Sequence, residues 1–490
     1  MSENPVQSKH KASLGISLIP ILFLVVALGL GILVYEKDPH IPLFTSALFA
    51  ALIANRFLHI DWAEIEKGMI ETIGMGMQAC LILMVIGMVI GTWILGGIVP
   101  AMIYYGLKIL SPSIFLVASV IMCSIVALAT GSSWTTAGTV GIALIGIGTS
   151  IGIPKEVCAG AIISGAYFGD KMSPLSDTTN LAPAMAGSTL FEHISHMVYT
   201  TVVSYGLTLV IFLVLGFRYA GSQLDLTQIQ EMNAAMEAAF NLNPLLLLIP
   251  VITIGLVIMK VPAIPGLFIG GVLGGIAAVA AQGQDLGAVL EALHYGYVSE
   301  TGFEFVDELL TRGGMDSMFW TISLILCALC FGGVMNRSGM LKAIADSVLG
   351  FVRGTGSLAL AVALTCVGIN VLASDQYLSL VIPGTMYKDE YMRRGLDPCN
   401  LSRTLEDTGT VTSALVPWNT CGATMITFLT LDPWTYVPYS FFNLLSPIVN
   451  ILYGFFGITQ KRLTPEKIAE IQERGAWPED LTPEEALNAH

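Results

Sequence analysis

Along most of this chain, runs of apolar residues about as long as a bilayer crossing alternate with short polar breaks. A helix needs about 20 apolar residues to cross hydrocarbon, and the sequence supplies such runs at 14–35, 41–58, 72–97, 195–217, 243–260, 263–281, 316–335 and 434–458. Two longer regions, 112–188 and 355–430, are also apolar but are interrupted by glycine and hydroxyl residues, so hydropathy alone does not divide them. The pattern predicts an all-α polytopic membrane protein. Only Lys9, His10 and Lys11 precede the first run, which has no small-residue cleavage site, so it is expected to be a retained helix.

The sharpest break lies at 165–183. After a nearly uncharged stretch come Asp170, Lys171 and Asp177, with Ser173, Ser176, Thr178, Thr179 and Asn180 among them. Pro174 removes a backbone donor, Gly165 and Gly169 are expected to loosen the chain, and hydroxyl side chains compete for backbone hydrogen bonds. The spacing predicts an unwound hinge at 170–180. Ionisable groups at membrane depth are costly, which marks them as functional candidates.

A shift of 242 residues aligns the two interrupted regions without gaps: Ser132 falls on Ser374, Ser133 on Asp375, Asp177 on Asn419, Thr178 on Thr420 and Ser204 on Ser446. Residues 72–217 therefore repeat as 314–459. Each interrupted region divides into a re-entrant hairpin followed by a broken helix. The predicted tips are Gly131-Ser132-Ser133-Trp134 and Ala373-Ser374-Asp375-Gln376, and the second hinge is predicted at 416–420. Two inverted repeats result, each of five transmembrane helices plus a re-entrant helical hairpin, with the broken helices at the repeat interface. The expected organisation is an N-terminal cytoplasmic segment 1–13, a first repeat 14–220, an outer loop 221–242, a second repeat 243–458 with an acidic outer loop 282–315, and a solvated cytoplasmic tail 459–490. In this arrangement the inner segments carry sixteen of the 22 Lys and Arg residues and the outer ones five, with Lys171 at the hinge. That bias supports cytoplasmic termini.

Composition changes little. Charged residues make up only 12% and hydrophobic ones 54%, far from a soluble average of about 25% charged. The net charge of −14 comes largely from the tail and loops, and no basic stripe suggests nucleic acid. Of the eight cysteines, Cys327 and Cys330 form a CxxC on an apolar span without a partner pair, which reads as packing. Glu192-His193-Ile194-Ser195-His196 lacks the order of a zinc-protease motif and sits at the expected cytoplasmic start of a span. His193 is a minor candidate for a pH-sensing group there.

The motifs at 165–180, with Ala373-Ser374-Asp375-Gln376-Tyr377, Glu406-Asp407-Thr408-Gly409-Thr410-Val411 and Pro417-Trp418-Asn419-Thr420, resemble the NhaC family of bacterial Na+/H+ antiporters over nearly all of 14–460. The family's tip is expected to read Gly-Thr-Ser-Trp, where this chain has Ser132 and Ser133. The resemblance implies a place in the broader ion-transporter superfamily, whose members share inverted repeats with hairpins and often move as elevators. It also implies the cytoplasmic membrane of a bacterium.

Independently, Na+ is a hard cation that takes oxygen ligands, and the tips and hinges are rich in them. Desolvation favours the protonated form of a carboxylate and a bound cation the ionised form, so such a group exchanges Na+ for H+. Asp170, Asp177, Asp375 and Asp407 are the candidate carboxylates, the first three as direct Na+ ligands. Ser132, Ser133, Thr178, Asn180, Asn419 and Thr420 are candidate neutral ligands; helix capping at the breaks is the alternative role for each. Lys171 and Glu406 are supporting candidates, Lys171 as either an ion-pair partner of a hinge carboxylate or a ligand of a substrate carboxylate, and Glu406 with Arg403 as an alternative partner at i,i+3. The expected cargo is Na+ and H+, in a lipid bilayer, without a cofactor and without enzymatic activity; a homodimer is left open. The alternative is an exchanger coupled to an organic acid, of the malate/lactate type, which the scarcity of core cations disfavours.

Overall fold

The computed structural model describes residues 12–35, 37–109, 112–219, 226–259, 261–350, 352–475, 477–478 and 480–488, and every regular element among them is a helix. Among the described residues, eight helices are long and apolar enough to cross a membrane: Leu14–Gly31, His40–Leu58, Gly76–Leu95, Ser113–Thr130, Leu190–Tyr219, Ile264–Gln282, Asp316–Arg337 and Thr355–Leu372. A ninth arises if the pair Gln230–Ala239 and Pro244–Leu256, bent by 93°, is one span. Val202, Val210 and Val214 on Leu190–Tyr219 lie exposed, as a lipid-facing helix requires when its backbone bonds are all internal. The chain is a multi-pass membrane protein. The expected span 434–458 is α-helical over Phe441–Phe456, preceded by a 3-10 turn at Val437–Tyr439. Of the expected N-terminal segment 1–13, residues 1–11 lie outside the described residues, as do residue 220 of the first repeat and 221–225 of the first loop. The remainder of that loop forms Leu226–Ala239, and the acidic segment 282–315 carries the short helices Leu286–Tyr295 and Glu304–Leu310.

Two groups of helices position the site. Trp62–Leu95 packs along Ala263–Gln282 and Phe319–Arg337, and close approach is allowed by small residues: a Cβ on Gly333 would lie 2.8 Å from the carbonyl of Gly68. In the second group, Pro112–Thr130 lies against Lys155–Met172 and Leu190–Tyr219. Gly165 and Gly169 do not loosen the chain, because the helix Lys155–Met172 runs unbroken through both. They admit a neighbour: a Cβ would meet the carbonyl of Val120 at 2.3 Å from Gly165 and that of Ser124 at 2.4 Å from Gly169.

The tail is also not the solvated segment expected. Thr464 caps Pro465–Glu473 by accepting from the Lys467 amide at 3.2 Å, as its Thr-Pro start predicts. Leu463, Ile468, Ile471 and Leu481 then bury themselves against Met392. Ile468 and Ile471 share a helix face at i,i+3, and a helix this short is stable only when that face is packed. Ion pairs surround the contact: Lys467 Nζ reaches both oxygens of Glu192 at 2.6 Å, and Arg393 reaches Asp480 at 2.5 Å.

Candidate ion site

At the first break the helix Lys155–Met172 stops, 173–176 are not helical, and Asp177–Ala186 begins. Ser173 Oγ donates to the Leu128 carbonyl at 2.7 Å and accepts from the Leu175 amide at 3.2 Å, so the unwound residues are held by side-chain bonds. The first tip sits directly on this hinge. Gly131 has φ +69°, and a Cβ there would lie 2.7 Å from the Leu175 carbonyl carbon. Ser132 caps the short helix Ser133–Thr136 by accepting from the Thr135 amide at 3.1 Å. Asp170 gathers the donors of both segments. Its Oδ2 accepts from the Ser133 amide at 3.0 Å and Ser133 Oγ at 2.7 Å, and its Oδ1 accepts from Ser176 Oγ at 2.6 Å.

The second break is built alike but with its carboxylate on the tip. Ser374 takes φ +58°, and Asp375 Oδ1 caps Gln376–Arg393 by accepting from the amides of Tyr377 and Leu378 at 2.9 and 3.1 Å. Helix Pro398–Leu405 continues through the wide π-type turn Glu406–Thr410 to Val411–Ser413, and 414–419 are unwound before Thr420–Leu429. The Thr420 amide donates to the Ser374 carbonyl at 2.9 Å, and Asn419 Nδ2 donates to the Asn370 carbonyl at 3.1 Å. Asn419 Oδ1 accepts from the Cys421 amide at 3.0 Å as a helix cap.

These two breaks meet. A cavity of about 490 Å³ is lined by Ser132, Trp134, Asp170, Ser176, Asp177 and Thr178 from the first and by Gln376 and Tyr377 from the second, with Gln78, Ile82, Val261 and Pro262 on its far wall. Cys421 Sγ donates to Gln376 Oε1 at 3.1 Å, and Trp134 lies beside Cys421. Asp177 lies beside Tyr377. Of the expected residues, Ser132, Asp170, Asp177 and Thr178 line the cavity, and Ser133 supports it through Asp170. Asp375, Asn419 and Thr420 lie just behind the second wall, engaged in capping and hinge bonds. Asn180 is exposed and its amide donates to the Pro174 and Ser176 carbonyls at 2.9 and 2.7 Å, so it locks the hinge backbone.

Asp407 is fully buried and forms an ion pair with Lys171, also fully buried, rather than facing the cavity. Asp407 Oδ2 accepts from Thr200 Oγ1 at 2.8 Å and Oδ1 from Ser446 Oγ at 2.9 Å, while Lys171 Nζ donates to Thr201 Oγ1 at 2.8 Å. Both charges are thus satisfied without an ion. Lys171 thus pairs with a carboxylate of the wide turn Glu406–Thr410, which lies outside both breaks. Glu406 does not pair with Arg403, whose guanidinium donates to Thr459 Oγ1 at 2.9 Å. Sequence reasoning missed Ser176, Trp134, Gln376, Tyr377, Thr200 and Thr201. The signal for Thr200 was a polar stripe with Ser204 and Thr208 at helical spacing on an otherwise apolar span, all three buried.

His193 and His196 lie near the start of Leu190–Tyr219. Both are buried, with His193 Nδ1 2.8 Å from Ser402 Oγ and His196 Nε2 3.1 Å from Asn400 Oδ1. Cys327 and Cys330 are partly buried against the apolar core.

A sequence profile of the Na+/H+ antiporter family matches residues 165–458, which hold both breaks of the second region and the first hinge. The chain is 40% identical to the Na(+)/H(+) antiporter NhaC of Alkalihalophilus pseudofirmus over 92% of its own length and 97% of the relative's. It is 37% identical to the arginine/ornithine antiporter ArcD of Halobacterium salinarum, covering 94% and 96%. To the malate-2H(+)/Na(+)-lactate antiporter of Bacillus subtilis it is also 37% identical, covering 90% and 94%. With near-complete coverage and its hinge motifs inside the matched region, the chain belongs to the NhaC family of Na+/H+ antiporters.

Proposed function

We propose that this protein exchanges Na+ for H+ across the cytoplasmic membrane of a bacterium by alternating access, with Asp170 as the central Na+ ligand. The observation that carries this reading is the Asp170 carboxylate, held by three donors and lining a cavity to which both broken regions contribute. Thr178 and Asp177 complete an oxygen-rich wall. Asp375, Asn419 and Thr420 support it from the second unit. A carboxylate there holds Na+ or H+, but not both, because each cancels the same charge.

Two inverted repeats give such a protein its two access states. In support, the arms of the broken regions end in register: Thr130 and Leu372 lie 242 residues apart, as do Lys155 and Asp397, the latter one residue before Pro398–Leu405. The helices Pro112–Thr130 and Thr355–Leu372, each long enough to cross, act in this reading as arms of re-entrant hairpins. The cavity lies between the hairpin and hinge residues and the far wall of Gln78, Ile82, Val261 and Pro262. An elevator movement would carry the first set past the second. With cytoplasmic termini, residues 261–262 are cytoplasmic and the state described is open inward.

A second reading, exchange coupled to an organic acid, has support in the size of the cavity, which exceeds that of a dehydrated Na+. Against it, the described residues that line the cavity include Asp170 and Asp177 but no Lys or Arg, so an organic anion would meet like charge from them. Reconstituted vesicles loaded with a pH-sensitive dye decide between them. Na+ alone should drive proton movement; movement only with malate or lactate present would overturn the leading reading.

A further inference from the structure

On the side that cytoplasmic termini make the outer one lies a second cavity, of about 290 Å³, which the exchange reading does not use. It sits on the seam between the hinge-bearing elements and the set packed on Trp62–Leu95. On one side stand Lys155, which opens the helix Lys155–Met172, and Thr430, which follows Thr420–Leu429. On the other stand Glu308, Thr311 and Arg312, from the loop that leads into Phe319–Arg337. That loop is tied to Trp62–Leu95 by the Gly314 amide, which donates to the Gly87 carbonyl at 2.7 Å.

Two of the five Lys and Arg residues assigned to the outer segments therefore meet at one cavity, close enough for their like charges to oppose each other. Arg312 is held in place by backbone bonds to and from Tyr297, both 3.1 Å. Its Nε and Nη1 atoms are buried and have no hydrogen-bond partner among the described residues. Burial pushes the Arg312 guanidinium down to about 10, so it stays charged at neutral pH. A buried charge without a partner is costly. The nearby carboxylates do not supply one: the exposed Glu308 acts on both cations through space, and Asp432 and Glu156 act on Lys155 in the same way.

An anion between the two walls would relieve both the repulsion and the unpartnered charge. The lining selects its kind. A single negative charge matches two cations offset by Glu308. The cavity is larger than a halide needs, and Ile145, Phe305 and Leu309 give it an apolar wall for a short hydrocarbon body. We infer that this cavity binds a short-chain monocarboxylate, its carboxylate between Lys155 and Arg312 and its tail against those apolar residues. Bound there, the acid ties the hinge-bearing elements to the outer loop and holds the inward-open arrangement, so that acid outside the cell slows exchange. The slowing rests on the exchange reading with cytoplasmic termini; the binding does not.

Calorimetry of the purified full chain tests the site, with sodium butyrate, sodium propanesulfonate and sodium chloride titrated at constant Na+ concentration. Butyrate and propanesulfonate should bind, and chloride should not. Arg312→Gln and Lys155→Gln should each weaken that binding about tenfold or more, while Glu308→Gln should tighten it. No butyrate binding, an equal response to chloride, or undiminished butyrate binding in either folded variant would overturn the proposal; if one variant does not fold, the other decides. Exchange is then followed in right-side-out vesicles with external propanesulfonate, whose acid does not cross lipid. The wild type should lose most of its Na+-driven proton movement, and Arg312→Gln should keep it. Equal loss in both, or no loss in the wild type despite binding, would overturn the hold on the inward-open arrangement. Absence of Na+-driven proton movement before any anion is added would instead overturn the exchange reading and leave the butyrate result standing.

Discussion

Lys171 and Asp407 offer the clearest test of which buried charges are structural. Both side chains are fully buried, and they belong to broken helices that lie 236 residues apart in the chain. Replacing Lys171 by Met removes the charge but keeps the volume, leaving the Asp407 carboxylate with only the hydroxyls of Thr200 and Ser446. Breaking one side of such a pair costs about 3–5 kcal/mol, whereas replacing both partners is often close to neutral. Lys171→Met should therefore lower the unfolding temperature in detergent sharply, and so should Asp407→Asn. The double variant Lys171→Met/Asp407→Asn should recover much of the loss, with a coupling energy of about 2–3 kcal/mol in the cycle. Fluorescence-detected thermal unfolding of all four proteins measures it. Strictly additive losses, or a Lys171→Met protein as stable as the wild type, would refute the reasoning and return Asp407 to the list of cargo carboxylates.

Other outcomes follow from the same geometry. Asp170→Asn should abolish Na+-driven proton movement in vesicles while leaving membrane insertion intact, and retained exchange would remove Asp170 from the site. Gly169→Ala places a methyl 2.4 Å from the Ser124 carbonyl, an overpacking that should cost about 1–3 kcal/mol in thermal unfolding; an unchanged melting temperature would contradict the close helix contact. In the tail, the hydrogen bond from Arg393 holds the Asp480 carboxyl below its usual range. A group depressed in the docked state contributes above its ordinary value of about 3.9 and loses that contribution as pH falls through the lower, docked value. Proteolysis of the tail should thus rise on acidification in the wild type, while Asp480→Asn should already be sensitive at neutral pH; equal sensitivity at both pH values would exclude the contact.

What could be read from the sequence was local. Pro174 and the serines around it stop a helix wherever they sit, and both breaks fall within a few residues of their expected places. The carboxylates and hydroxyls at the breaks were equally visible as chemistry at membrane depth. Their allocation was not, because it depends on which segments pack together. Asp407 is removed from the cavity by Lys171, and Glu406 is left without a partner, although the two are adjacent in sequence. Gly165 and Gly169 looked like flexible joints because a close backbone approach leaves the same residue type as a hinge does; only the neighbouring carbonyls of Val120 and Ser124 tell them apart. The docked tail escaped notice for a related reason. Its apolar face is only a turn long, too short for periodicity to stand out from a solvated helix.

Na+ binding by the purified protein, measured by calorimetry together with the accompanying proton release, tests the central claim most directly. The account predicts that the wild type binds Na+ and releases a proton, and that Asp170→Asn does neither. Undiminished Na+ binding by a folded Asp170→Asn protein would contradict it.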